Sequence, residues 1–334
     1  MRLFRLLIGF IIFMPTLQAT ENASRYTTLI TKVNSLMHKY HYMPEQLNGA
    51  GYQNMLVQMQ AHAKTASSDE AFIEGFNKLW HKGPFSHVRM QANEQPADAL
   101  AAYLDQMQVG ENATSLTIDD SIALMQINTM MGTDTIERIG TYYKQIISAN
   151  VSTLIIDLRN NNGGAFAVKP LLGHLIEAPL DVGMFVSQPW NAKHNKPPSI
   201  IDAQKRQPWF GWSIRSFWQD VQTVDLLRIQ MQPHAPYFTG KVYVLTSKQT
   251  ASAAELGTDA LGYLDNVKII GETTAGEMLS QSVFDLAEGI LLFLPIADYY
   301  SHRSGRIEGQ GVKPDIEIAA DQALIKAKEL ISGD

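Results

Sequence analysis

Residues 240–261 read GKVYVLTSKQTASAAELGTDAL. Val242 to Leu245 form an apolar run of strand length, β-branched and aromatic in part. Thr246 to Thr250 are polar, and an Ala-rich run follows with Leu256, Ala260 and Leu261 at helical spacing. The pattern predicts strand, tight loop, helix, with Ser252 where the helix begins. Backbone N–H groups at a helix start are unpaired and carry the positive end of the helix dipole. A serine there can attack a carbonyl while neighbouring amides stabilise the oxyanion. The same letters also have a purely structural reading. Ser252 and Glu255 fit S-x-x-E, a capping box in which the serine only satisfies the helix end.

The strand, loop and helix pattern recurs upstream. Val151 to Leu158 is a continuous apolar run, as expected of a strand buried on both faces. It leads directly into Arg159-Asn-Asn-Asn-Gly163-Gly164, a loop suited to positive φ and close backbone approach. Val168 to Ile176 then returns as a helix. Further strands are predicted at Val267 to Ile270 and Ile290 to Pro295. Alternation of this kind is α/β layering.

Residues 20–82 read instead as a small helical domain of three helices. Ile30, Val33, Leu36 and Met37 keep a 3.6-residue period, and Ser67 to Glu70 has capping-box spacing before Phe72, Phe76 and Leu79. Residues 83–334 form the α/β core. Ser86-His87 follows Gly83-Pro84 and precedes alternating Val88 and Met90, which puts the histidine at a loop-to-strand entry. Glu94 to Gly110 predicts a helix with loops, and Leu116 to Ile127 one or two strands. Asp134 to Glu137 has capping-box spacing ahead of a helix whose apolar face is Ile136, Ile139, Tyr143 and Ile147. Residues 180–240 are an irregular insertion holding four of the five tryptophans, including PWFGWSIRSFW at 208–218. Large aromatics dominate buried packing, so this segment is predicted to be core, with a binding lip over a cleft as the alternative. Residues 321–332 predict a terminal amphipathic helix.

A net charge of −6 without a basic run argues against a nucleic-acid partner. At the N-terminus Arg2 and Arg5 precede the apolar run Leu6 to Met14, then Pro15 and a small residue at Ala19. That is the pattern of a secretory signal peptide over residues 1–19, and the apolar run is short for a membrane span. The expectation is an exported chain, periplasmic or secreted, with no stable membrane span after cleavage. With no cysteine there is no disulfide, thiol nucleophile or thiolate metal site. His38, His41 and His62 lie in the helical region without a carboxylate cluster, so neither metal nor cofactor is expected.

Ser252, His87 and the Gly163-Gly164 backbone supply candidates for nucleophile, base and oxyanion hole. GETTAGE (271–277) and SGRIEGQGVKPDIEI (304–318) follow, with Gly-rich turns around Glu308. LIIDLRNNNGG, YVLTSKQTASAAE, IIGETTAG and IEGQGVKPDIEI, in that order, resemble the tail-specific (C-terminal processing) protease superfamily. The resemblance covers roughly residues 70 to 330. It implies a Clp-protease/crotonase-like ββα superhelix and a peptide or protein substrate.

Two chemistries occur in that superfamily. One pairs the serine with a lysine in a G-K-G motif, but the matching position here is Glu277, and Lys248 precedes the helix as a solvated loop residue. The other, resembling the catalytic core of tricorn protease, uses Ser, His, a second Ser and Glu. Ser86-His87 matches its Ser-His pair and Glu308 its glutamate. The resemblance implies that Ser252 attacks, His87 takes its proton, and the Ser86 hydroxyl bridges the imidazole to Glu308. It assigns the oxyanion donors to Ala253 N–H and to an amide of Gly163 or Gly164. About two dozen residues separate Met90 from Leu116, too few for the PDZ domain that tail-specific proteases usually carry. This branch is also similar to the interphotoreceptor retinoid-binding protein repeats, which bind apolar ligands without proteolysis. A non-catalytic binder of an apolar or peptide ligand, or a non-peptide esterase, is therefore the alternative to an exported serine peptidase. Asp157 and Arg159, ending a buried strand, are expected to pair structurally.

Overall fold

The computed structural model describes residues 14–333, so most of the leader, residues 1–19, lies outside the described residues. The chain divides into two compact units. One comprises residues up to 39, 45–94 and 283–294; the other comprises 40–44, 95–282 and 295 onward.

The first unit is built from the helices Met14–Tyr40, Ala50–Ala63 and Asp69–Trp80. Tyr26, Ile30, Val33 and Met37 from the first helix pack with Met59, Phe72 and Phe76, and with Leu286, Ile290 and Leu292 from the late segment. That late segment pairs antiparallel with the strand Arg89–Ala92, with Arg89 opposite Phe293 and Ala92 opposite Ile290. The third helix is capped by Ser68, whose hydroxyl accepts from Ala71 N–H at 3.2 Å, one residue beyond the predicted cap.

The second unit carries a six-stranded sheet in the order Ile316–Glu317, Val267–Gly271, Lys241–Thr246, Thr153–Asp157, Ile122–Ile127, Thr114–Asp119. Neighbours are parallel except the last pair, a hairpin. All five residues of Thr153–Asp157 are buried, as their uninterrupted apolar run requires. A second sheet region pairs Leu180–Ser187 with the later part of the strand Ile290–Ser301 and with Leu226–Met231, all antiparallel. The strand expected at Ile290 to Pro295 thus runs six residues further. The fold class is α/β.

Three local expectations fail for physical reasons. The helix Thr133–Ser148 starts at Gly132, and Asp134 accepts from Val109 N–H at 2.9 Å and Gly110 N–H at 2.8 Å instead of capping its own helix. The buried face of that helix is Thr135, Ile139, Tyr143 and Ile146, one position off the predicted stripe at its end. In the insertion, Trp190 is buried, but Trp212 is 48% and Phe210 51% exposed. The segment 208–212 is therefore not core; its rings make tilted contacts near the surface, Phe166 with Trp209 at 5.9 Å and with Trp212 at 6.2 Å between centroids. The Asp157 and Arg159 pair forms as expected, a two-pronged ion pair at 2.9 and 2.7 Å.

Candidate active site

The strand Lys241–Thr246 ends in a short loop, and the helix Ala253–Leu261 begins at once. Ser252 sits between them with φ 55° and ψ −125°. Only glycine adopts positive φ without cost; for a serine the strain is about 1–3 kcal/mol and persists only where surrounding structure imposes it. A strained strand-to-helix turn is the device that projects a nucleophilic hydroxyl out of a sheet.

The capping reading of Ser252 is met: Ser252 and Glu255 form the reciprocal capping box. Its N–H donates to Glu255 Oε2 at 3.0 Å, the reciprocal arm of the box. Glu255 N–H also donates to the Ser252 carbonyl at 2.8 Å. A capping hydroxyl accepts from the helix N–H and keeps its own proton, so the cap does not exclude attack by Ser252.

Gly163 explains how closely the Asn-rich loop approaches. A Cβ on Gly163 would stand 2.6 Å from Ser252 Cβ and 2.8 Å from Ala251 O, and its φ is 97°. Its own N–H is committed to Asn161 Oδ1 at 2.9 Å, and Asn161 Nδ2 donates to Ile127 O at 2.9 Å. Asn161 is fully buried, so this bracing is dry and strong. Gly163 therefore supplies space beside the serine, and its amide is already used. Asn161 was not singled out in the sequence, where it is one of three consecutive asparagines.

Glu255 does far more than cap. It is fully buried, and each oxygen takes two donors. Oε1 accepts from Thr274 Oγ1 at 2.5 Å and Gly276 N–H at 2.7 Å; Oε2 accepts from Ser252 and from Glu277 N–H at 2.9 Å. Burial pushes its carboxyl above the usual range, and these four donors oppose that shift. A glutamate in an Ala-rich, largely apolar helical run was the available sequence signal.

The same loop that holds Glu255 also holds Glu308. Glu308 Oε2 accepts from Met278 N–H at 2.6 Å and Leu279 N–H at 3.1 Å. Around it Gly309 N–H donates to Gly276 O at 2.8 Å and Val312 N–H to Thr274 Oγ1 at 2.7 Å. Residues 274–279 thus connect the serine turn to the Glu308 turn within the second unit. Ser86 and His87 belong to the first unit and meet each other, Ser86 Oγ lying 2.8 Å from His87 Nδ1. His87 is itself strained, with φ 64°. Glu277, where a dyad lysine would stand, is exposed, and Lys248 is 80% exposed with Glu272 at 3.7 Å.

The family profile described as Peptidase family S41 matches residues 121–318, more than half of the chain. The chain belongs to peptidase family S41. It is 25% identical over 175 residues to carboxyl-terminal-processing peptidase 1, chloroplastic, of Arabidopsis thaliana, a match covering 52% of this chain and 28% of that protein. It is 34% identical over 89 residues to a carboxyl-terminal-processing protease of Synechocystis sp., covering 27% and 20%. The matched stretch thus spans roughly a quarter of the length of these curated relatives. Among solved structures, a lipoprotein from Streptococcus agalactiae superposes with a TM-score of 0.58 at 17% identity, covering 98% of this chain and 99% of that one. The photosystem II D1 C-terminal processing protease gives 0.57 at 12% identity, covering 89% and 94%. Both likenesses concern the fold.

Proposed function

We propose that this S41 member is an exported serine peptidase that cleaves peptide amide bonds through a Ser252 acyl-enzyme. The observation that carries the reading is the Ser252 turn: a strained serine at a helix start, packed against a glycine that admits nothing larger. In this mechanism Ser252 Oγ attacks the scissile carbonyl while His87 takes its proton. The hydrogen bond between Ser86 Oγ and His87 Nδ1 supports the relay, because it assigns Nε2 to the proton transfer. Ser86 would pass the stabilising influence of the Glu308 carboxylate to the imidazolium. Ala253 N–H, at the helix start, and Gly164 N–H are the oxyanion donors, since Gly163 N–H is already spent on Asn161.

A fluorophosphonate probe is expected to label Ser252, and Ser252→Ala to abolish labelling with the fold intact. His87→Ala is expected to lose reactivity about as fully, because such residues act as a unit. A folded wild-type chain that never reacts sinks the hydrolase reading and leaves the binding scaffold. Turnover retained by His87→Ala would assign the base to another group.

A further inference from the structure

Two cavities of the second unit share one ring. The first, about 270 Å³, has an apolar wall of Met130, Met131, Phe166 and Trp212, carries the carboxylates Asp105 and Glu137 on its lining, and includes Ala165, the residue after Gly164. Gly164 itself packs on the Met130–Met131 backbone, where a Cβ would meet Met131 N at 2.5 Å. This cavity therefore opens along the loop that flanks Ser252. The second, about 230 Å³, shares Trp212 in its lining and is otherwise lined by Lys169, Phe210, Gln230, Met231, Gln232 and His234.

Lys169 is unusual there. Its ammonium lies 5.3, 4.8 and 4.5 Å from the ring centroids of Phe166, Trp209 and Trp212. One of its three protons goes to the Gly211 carbonyl. No carboxylate pairs with it among the described residues, and none lines the cavity. Loss of water pulls its pKa down to about 8, so it keeps its charge at neutral pH while lacking a counter-ion. A cavity with a cation that lacks a carboxylate partner, an imidazole and two aromatic faces matches a carboxylate on an apolar chain, while the Gln230 and Gln232 amides already donate to Asp181 and Gln230.

We infer that Lys169 receives a carboxylate of the peptide whose apolar residue fills the cavity beside Gly164, the two cavities sharing the Trp212 ring. The inference rests on the peptidase reading for the direction of the peptide, and the carboxylate is either the terminal one or an acidic side chain. Lys169 then sets specificity: it favours peptides carrying a negative charge at a fixed distance from the scissile bond.

The test uses the mature full chain with Ser252→Ala, so that nothing is hydrolysed, and isothermal titration of N-acetylated hexapeptides of alanine and leucine. Three peptides are compared: a free C-terminal acid, its C-terminal amide, and an amide with glutamate next to last. The acid or the glutamate peptide is expected to bind at least about tenfold tighter than the plain amide. Which of the two wins identifies the carboxylate. Lys169→Met, which keeps the stem among the rings, is expected to erase the preference and leave the plain amide unchanged. Equal affinity for all three peptides overturns the inference, as does no binding at all. An equal loss for every ligand in Lys169→Met shows a clamp for residues 208–212 and also overturns it. Fluorophosphonate labelling of the wild-type chain reports separately on the peptidase reading, so the two can fail independently.

Discussion

At the scale of single residues, Ser252 and Gly163 have to be considered together. The serine is held at positive φ, and the glycine opposite it is the only residue that fits. Gly163→Ala is expected to slow fluorophosphonate labelling by at least about a hundredfold, because a displacement near 1 Å at a reacting atom costs that much. Labelling at the wild-type rate would show that the loop can retreat and that the contact is incidental. The serine was legible because an apolar strand, a polar loop and an Ala-rich helix announce a strand-to-helix turn locally. Whether that serine does more than cap the helix was not legible, since capping box and nucleophile share the letters S-x-x-E. The structure has the box in place and adds the positive φ of Ser252, which a cap alone does not require.

At the scale of elements, the long strand Ile290–Ser301 brings a buried acid toward the Glu308 turn. Asp298 is 1% exposed, its Oδ2 accepts from Arg306 Nε at 2.5 Å, and its Oδ1 has no hydrogen-bond partner. Burial pushes this carboxyl up to about 6 despite the opposing pull of Arg306, and the Glu308 charge adds to the rise. The folded chain therefore holds a proton that the unfolded chain releases near pH 4. Its contribution to stability is full below that pH and is lost as pH rises to about 6. Asp298→Asn, neutral throughout, is expected to flatten the fall in denaturation midpoint between about pH 4 and 6. Parallel curves for variant and wild type would mean that other groups set that slope. The slope is the readout because the variant leaves Arg306 without its partner. None of this was legible, because Asp298 lies mid-strand in an otherwise apolar run and only the cross-strand neighbours give it a partner. The Asp134 carboxylate was misread for the same reason. Capping-box spacing is local, whereas Val109 and Gly110 come from a distant loop.

At the scale of the whole molecule, no helix among the described residues is long and apolar enough to cross a membrane. If the chain is exported as proposed, N-terminal sequencing of protein from the periplasm or medium is expected to begin at Thr20. A chain still starting at Met1 in the cytoplasm would remove export from the reading. Period and composition determined much of what is found here: three N-terminal helices, an α/β layering, and the four motifs in family order. They did so because apolar periodicity and turn residues act over a few positions at a time. Only the tertiary structure decided that the 208–212 rings lie at the surface, that Asn161 braces Gly163, and that residues 274–279 hold both Glu255 and Glu308. Those facts depend on backbone amides and buried side chains meeting across long sequence separations. Spacing along the chain carries no record of which donor a buried carboxylate will find.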